Sequence, residues 1–213
     1  MSCCCPHDAG ADRLFSRLAR RSGRRLERRG LERSQRGLMR GLEEAGFRGA
    51  RVLEIGCGTG HFHREMLRRG AAQAEGVDLA AGMIREARAH ARTAGLAGRC
   101  RYHQGDFLEL ADRVSPAEVC VLDKVVCCYP DAHALLQAAL GRTTRVLALT
   151  LPRDRFAVRA AITVAGVGMR LAGSGFRPWF HSPARVRAWI EAAGFRRLFE
   201  ASTTFWLSEV YVR

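Results

Sequence analysis

Residues 51–60 read Arg-Val-Leu-Glu-Ile-Gly-Cys-Gly-Thr-Gly. Val52 to Ile55 is a short run of the kind that forms a buried strand. It breaks into Gly56, Gly58 and Gly60, and a helical pattern starts near His61. Strand, glycine turn and helix together present backbone N–H groups to a bound ligand. Glycine suits the turn because it accepts positive φ and lets a ligand lie against main chain where a Cβ would block it.

Two doubly wound families use such a turn. A dinucleotide loop has G-x-G-x-x-G, and its third glycine would fall at position 61, which is His61. The run is instead Glu54-x-Gly56-x-Gly58-x-Gly60. Further pieces follow in order. Gln73 to Val77 reads as a second strand ending in Asp78, about twenty residues beyond the turn, where a carboxylate can accept from two ribose hydroxyls. Arg101 to Gln104 reads as a third strand, followed by Gly105-Asp106-Phe107. Ala117 to Leu122 is near-continuously apolar, as a strand buried on both faces should be. Val146 to Leu151 is a fifth strand. Phe195 to Ala201 and Thr204 to Val212 are joined too tightly for a parallel crossover, so they pair antiparallel.

This set resembles the class I methyltransferases that use S-adenosylmethionine (SAM), over roughly residues 45–150. The closing hairpin is a further likeness. The resemblance implies an α/β fold: a doubly wound, seven-stranded, mostly parallel, Rossmann-like sheet with an antiparallel C-terminal hairpin and an N-terminal helical cap. It implies SAM as cofactor, with Gly56, Gly58 and Gly60 giving close backbone approach. Glu54 would serve the methionine end, Asp78 the ribose and Asp106 the adenine. Cys57, Leu79, Phe107 and Asp123 complete the expected cofactor set. Methyl transfer is an in-line displacement: the acceptor must be held near contact, water excluded, and a proton handled where the acceptor carries one. It requires no metal.

The proton acceptor is sought on two segments. The fourth strand runs into Asp123-Lys-Val-Val-Cys-Cys-Tyr-Pro-Asp131, a loop at the carboxyl edge of the sheet where ligands bind. Tyr129 there and His181 further on are the candidate catalytic residues, with His133 a lesser one. His61 and His63 read as surface or cofactor-rim residues.

Bulk properties bound the rest. A chain of 213 residues is one domain of ordinary size. No apolar run is long enough to cross a bilayer. The N-terminus is arginine-rich and lacks an apolar signal core, so a cytoplasmic protein is expected. Net charge is +14, and Lys124 is the only lysine among 35 basic residues. Such a balance favours anionic partners. Of the eight cysteines, Cys57, Cys100 and Cys120 read as small core residues, and thiols rather than disulfides are expected. Cys3-Cys4-Cys5 with His7 has none of the usual metal-ligand spacings.

Residues 1–46 form a basic helical cap of two helices, and 47–213 the methyltransferase domain with a helical insertion at about 152–181. The arginines from Arg20 to Arg33 read either as a solvated face or as a cap that meets an acidic substrate. Arg155 to Ala172 is apolar over much of its circumference, so burial is expected. It reads as a substrate-side lid or as core packing. The acceptor expected is a small anionic or apolar molecule, and O-methylation is the leading reaction. The motif I sequence, the strand-four loop and the insertion resemble the magnesium-protoporphyrin O-methyltransferase branch. Two alternatives stand beside it. One is a metalloid methyltransferase using Cys127 and Cys128 with Cys3 to Cys5. The other is a SAM-fold module that binds nucleic acid through its basic N-terminus. Nucleic acid is disfavoured because the arginine run carries no stacking aromatics. No motif specifies oligomeric state.

Overall fold

A computed structural model describes residues 6–213, with side chains from residue 9 onward; Cys3, Cys4, Cys5 and the His7 side chain lie outside the described residues. The chain runs α1 (Pro6–Arg29), α2 (Arg33–Ala45), β1 (Arg51–Ile55), α3 (His61–Arg68), β2 (Gln73–Asp78), α4 (Ala81–Thr93) and β3 (Cys100–Gln104). It continues through α5 (Phe107–Leu110), β4 (Ala117–Asp123), α6 (Ala132–Gly141), β5 (Thr143–Pro152), α7 (Phe156–Leu171), α8 (Pro183–Ala192), β6 (Arg196–Ser202) and β7 (Trp206–Val212).

The seven strands form one sheet in the order β3-β2-β1-β4-β5-β7-β6. The first five are parallel; β7 runs antiparallel to both β5 and β6. β1 pairs with β2 on one side and β4 on the other, so the winding reverses direction at β1. A doubly wound sheet opens its ligand crevice at that point, beyond the carboxyl ends of the strands.

Alternation in the central strands feeds two cores. Leu53, Ile55, Cys120, Leu122, Leu147 and Leu149 point to one face, against Leu135 and Leu136 of α6 and Val186 and Ile190 of α8. Val52, Val119, Val121, Val146 and Ala148 point to the other, against Leu38, Met39 and Leu42 of α2 and Phe62 and Met66 of α3. Each fully buried leucine contributes about 1.5–3 kcal/mol.

α1 is a single long helix, so Arg20 to Arg29 lie within it and not between two helices; it ends at Gly30, φ 68°. Arg20, Arg21, Arg24, Arg25, Arg28 and Arg29 are exposed. Its inner face packs along α4. Asp12 Oδ1 accepts from the Ala81 N–H at 2.9 Å and Ser16 Oγ from the Gly82 N–H at 2.7 Å, satisfying first-turn donors that α4 has no cap of its own to meet. A Cβ at Gly82 would sit 2.6 Å from Ser16 Cα, so glycine sets how closely α1 approaches.

α7 departs from the expectation of burial. Only Val158 and Ile162, one turn apart, are buried; Phe156 is 89% and Leu171 83% exposed, and Val164 and Val167 are exposed as well. The helix touches the body along one stripe, and nothing among the described residues covers its other faces. Plain core packing is therefore not its role. The segment after it returns to the strand-four loop: the Trp179 N–H donates to Cys127 O at 2.7 Å, and Phe176 meets Phe15 of α1 edge-on at 5.1 Å. Among the described residues no helix is long and apolar enough to cross a membrane.

Candidate functional site

A cavity of about 670 Å³ opens at the carboxyl ends of β1, β2 and β4 and is roofed by α1. Glu54, Gly56, Cys57, Gly58, Asp78, Leu79, Asp106, Phe107, Asp123 and Tyr129 all line it. The topology thus brings together every residue expected at the cofactor except Gly60.

The three glycines answer to different constraints. A Cβ on Gly58 would meet nothing within 4 Å, so the space above its backbone is open. One on Gly56 would lie 2.5 Å from Val125 Cγ2. One on Gly60 would lie 2.9 Å from the His63 ring and from the Tyr102 hydroxyl. Protein neighbours thus leave Gly58 free space above its backbone, while they leave no room for a side chain at Gly56 or Gly60. All three have positive φ.

Asp78 ends β2 with both oxygens engaged: Oδ2 accepts from the Gly58 N–H and Oδ1 from the Ala80 N–H, each at 2.8 Å. Burial raises its pKa to about 6, and the two N–H bonds only partly offset that. A carboxylate oxygen keeps a second lone pair after one bond, so each can still accept from a ligand. Asp106 caps α5, accepting from the Leu108 N–H at 2.9 Å, and also accepts a hydrogen bond from the Tyr129 hydroxyl at 2.6 Å. Asp123 accepts from Gln35 Nε2 at 2.8 Å through Oδ2; its buried Oδ1 has no hydrogen-bond partner among the described residues. That orphaned oxygen, the open face of Gly58 and the doubly held Asp78 are the features a cofactor with ammonium and hydroxyl groups would complete.

The two expected proton acceptors are placed otherwise. Tyr129 reaches the cavity, but its phenol donates to Asp106 and accepts from the Phe107 N–H at 3.3 Å, so it ties two loops together. His181 is absent from the cavity wall, and its Nε2 lies 2.8 Å from the Tyr129 carbonyl oxygen. His133 stacks edge-on against Trp189 at 4.8 Å. None is posed to take a proton from a molecule in the cavity.

Several contacts at and behind the cavity wall escaped the sequence reading. His63 is neither surface nor rim: it is fully buried, with Nδ1 2.6 Å from Glu54 Oε2 and Nε2 2.8 Å from the Tyr102 hydroxyl. His61 does reach the cavity, and burial holds it below the ordinary imidazole value despite Glu27 at 3.4 Å. Arg64, also fully buried, donates to Thr59 O at 2.6 Å and to the Glu27 carboxylate, clamping the glycine turn to α1. Lys124 has φ 61°, a left-handed strain of about 1–3 kcal/mol for a non-glycine residue. Its Nζ meets Glu32 at 2.5 Å. The pairs joining α1 and α2 to this loop lie tens of residues apart, and no local pattern announces them.

The roof differs in character from the floor. Phe15 and Leu18 of α1 line the cavity with Arg21, Arg25 and Lys124, and Glu32, also on the wall, is shared by Arg25 and Lys124. On the floor, Cys128 also lines the cavity, and its thiol and that of Cys127 both donate to the Lys124 carbonyl oxygen, at 3.6 and 3.4 Å.

Residues 52–149 match the methyltransferase domain family. Residues 52–149 thus carry a methyltransferase domain, and the strand order and glycine turn are those of the class I SAM-dependent methyltransferases. Among named proteins, the chain is 35% identical over 154 residues to a ubiquinone biosynthesis O-methyltransferase of Azorhizobium caulinodans, covering 70% of this chain and 60% of the relative. It is 30% identical over 151 residues to the enzyme of the same name from Xylella fastidiosa, covering 68% and 61%. The chain thus spans about three fifths of the length of the curated relatives it matches. Similar solved folds include magnesium protoporphyrin IX methyltransferase of Synechocystis with bound S-adenosylhomocysteine (SAH): TM-score 0.68, 19% identity, covering 84% of this chain and 81% of that one. A Haloferax volcanii putative methyltransferase, in complex with its Trm112 activator, has TM-score 0.70 and 16% identity, covering 95% and 96%.

Proposed function

We propose that this chain methylates an oxygen of a small, apolar, anionic molecule, using SAM, and that the oxygen is a carboxylate. The observation that carries the reading is the pairing of a cationic, apolar roof with expected bases that are not posed to act. Arg21, Arg25 and Lys124 line the cavity, the last two sharing Glu32 as counter-ion and Arg21 in no ion pair among the described residues, while Phe15 and Leu18 supply apolar surface. Tyr129 has its proton committed to Asp106, and His181 lies off the cavity wall. A phenol or amine acceptor has to lose a proton, and a general base contributes substantially there. A carboxylate arrives ionised at neutral pH and needs none.

SAM supplies an activated methyl on a sulfonium: the oxygen–carbon bond forms, the carbon–sulfur bond breaks, and sulfur keeps the electron pair. The chain's own part is placement. Asp78 holds the ribose hydroxyls, Asp106 and Phe107 flank the adenine, and Glu54 with the free oxygen of Asp123 faces the ammonium. Residues 6–46 act as the cap, and α7 with the segment to His181 forms the acceptor-side flank. Arg21 and Arg25 hold the anion without entering the reaction. The bound pair excludes water from the crevice.

The test is incubation of purified protein with methyl-labelled SAM and matched sets of aromatic and long-chain carboxylic acids, phenols and amines. The expected product is a methyl ester whose label is released as methanol by mild alkali. An alkali-stable ether or methylamine overturns the carboxylate. Absence of SAM binding by calorimetry removes the reaction altogether. One observation favours a second reading: Cys127 and Cys128 aim both thiols at the same Lys124 carbonyl, with Cys128 on the cavity wall, an arrangement that would suit a trivalent metalloid. Arsenite-dependent consumption of SAM that disappears in Cys127→Ser/Cys128→Ser would support that reading over the carboxylate.

A further inference from the structure

Behind Glu54 lies a buried polar relay that the proposed reaction does not use. Glu54 Oε2 meets His63 Nδ1 at 2.6 Å and the His63 backbone N–H at 3.3 Å. His63 Nε2 meets the Tyr102 hydroxyl at 2.8 Å. Glu54 lines the cavity and His63 does not, so the imidazole stands directly behind the carboxylate. Two glycines make room for the relay. A Cβ on Gly60 would strike the His63 ring and the Tyr102 hydroxyl, and one on Gly76 would lie 2.8 Å from Cys57 Sγ and 3.2 Å from Tyr102 Cδ1.

Resting on the SAM reading, we infer that His63 is a positioning residue that couples cofactor binding to release of a proton. The relay can be satisfied in two charge states. With neutral His63, Nδ1–H donates to Glu54 and Nε2 accepts from Tyr102, so the wall behind the cavity carries the full charge of Glu54. With protonated His63, both ring nitrogens donate, the Tyr102 hydroxyl turns from donor to acceptor, and the pair is neutral overall. An ammonium group placed against Glu54 prefers the first state. Its arrival therefore expels the His63 proton, and a lower pH weakens its binding by the same linkage.

The surroundings keep both states within reach. Burial opposes the imidazolium, but the Cys100 thiol and Glu54 outweigh it and hold His63 above its ordinary value. Cys57, Asp78 and Arg64 are the other titratable or charged groups around this relay, and Cys120 on β4 also faces Glu54. Asp78, at about 6, is the group whose proton must be told apart from that of His63.

The experiment is calorimetric titration of the intact protein with SAH. This ligand has the same ammonium group and no reactive methyl. Titrations at about pH 7, where that ammonium is already charged, are compared between phosphate and Tris buffers. The observed enthalpy should differ between buffers by the heat of transferring up to one proton to the buffer. His63→Gln should still bind while losing most of that difference, and its affinity should no longer fall as pH drops from about 8 to about 7, a window above the value of about 6 at which Asp78 takes its proton. Binding with no buffer dependence in the wild type, or a dependence unchanged in His63→Gln, overturns the coupling and leaves the cofactor reading intact. No binding in any buffer overturns the cofactor reading itself. Should His63→Gln fail to fold, the imidazole NMR titration of wild-type His63 decides. A pKa lowered by SAH supports the coupling, and an unmoved one overturns it.

Discussion

α2 and α7 pose opposite problems with similar lengths. α2 has 13 residues, three arginines and two glutamates, yet it buries seven residues, with Leu38 and Leu42 at 0% exposure. α7 has 16 residues and is far more apolar, yet it buries only Val158 and Ile162. Burial follows the arrangement of apolar groups and the presence of a partner surface, not their number. α2 concentrates its leucines and Met39 on one stripe that faces β5, β6 and β7. α7 spreads valines, Phe156 and Leu171 around its axis, so no single contact can cover them. The same contrast separates the floor of the cavity from its flank. The floor is built of enclosed groups that largely satisfy one another, Asp123 Oδ1 and Thr59 Oγ1 excepted among the described residues. The roof and the insertion present side chains to solvent or to whatever enters.

The sharpest test of that contrast is a pair of identical truncations. Leu42→Ala should cost about 2–5 kcal/mol in urea unfolding, the lost transfer energy plus a cavity. Leu171→Ala should stay within about 0.5 kcal/mol, as exposed substitutions do. Equal effects would mean that α7 is covered in solution by something that seats on Leu171.

A second pair separates the motif glycines. Gly60→Ala puts a methyl 2.9 Å from His63 and Tyr102, at positive φ, so both strain and collision oppose it. A loss of about 2–3 kcal/mol in stability is expected, from the named backbone and packing costs. Gly58→Ala meets open space and bears only the backbone strain, about 1 kcal/mol. It should nevertheless lower SAM affinity more than Gly60→Ala lowers it in the fraction that folds, because its methyl occupies the crevice. Thermal melts with calorimetry on both variants check the pair.

Asp78 carries a pH signature. Its carboxyl rises from about 3.9 in an unfolded chain to about 6 in the fold. The native state therefore holds the proton longer than the unfolded one between those values. The contribution of this group to stability falls as pH climbs from about 4 to about 6 and is level above. The difference in stability between wild type and Asp78→Asn should follow that curve in the absence of ligand. SAM affinity should run the other way, strengthening as Asp78 ionises. Asp78→Ala should weaken it by roughly 10–100-fold, since hydrogen bonds to a charged group are worth about 1.5–3 kcal/mol. A stability difference that does not change across this window would show that Asp78 is not buried as described.

How much of this was legible follows from where the constraints lie. β1, the turn and Asp78 could be read because strand, positive φ and strand-end carboxylate each demand particular residue types within a few positions. Asp106 could be placed by the Gly-Asp-Phe that follows the third strand, but its role as the cap of α5 emerges only in the fold. The relay through His63 could not. Its partners are Glu54, nine residues back, and Tyr102, 39 residues on, and they meet only once β1, α3 and β3 are stacked. Arg64 and Glu27 are a similar case, 37 residues apart. For α7 the apolar pattern was plain, but a pattern states what a face prefers and not whether a partner is there. Tyr129 lines the cavity, as the β4 loop led one to expect, and its hydroxyl donates to Asp106, a partner 23 residues away that no local pattern announced.

The smallest expected effect is on the roof. Arg25 is 61% exposed and partly answered by Glu32 at 3.6 Å, while Arg21 lies one turn away on the same helix and lines the cavity. An exposed charge pair is worth about 0.2–1 kcal/mol, so Arg21→Gln should raise KM for a carboxylate acceptor about two- to fivefold. Because the interaction is solvent-exposed, that ratio should shrink toward one as salt rises and the Debye length falls below about 8 Å. The melting temperature and SAM affinity should not move, since Arg21 neither packs in the core nor reaches the floor. A neutral ester of the same acceptor, used as a competitive ligand, should bind both proteins alike. If Arg21→Gln instead changes SAM affinity and leaves acceptor KM untouched, the roof belongs to the cofactor, and the division between an enclosed floor and a substrate-facing cap fails at its most exposed point.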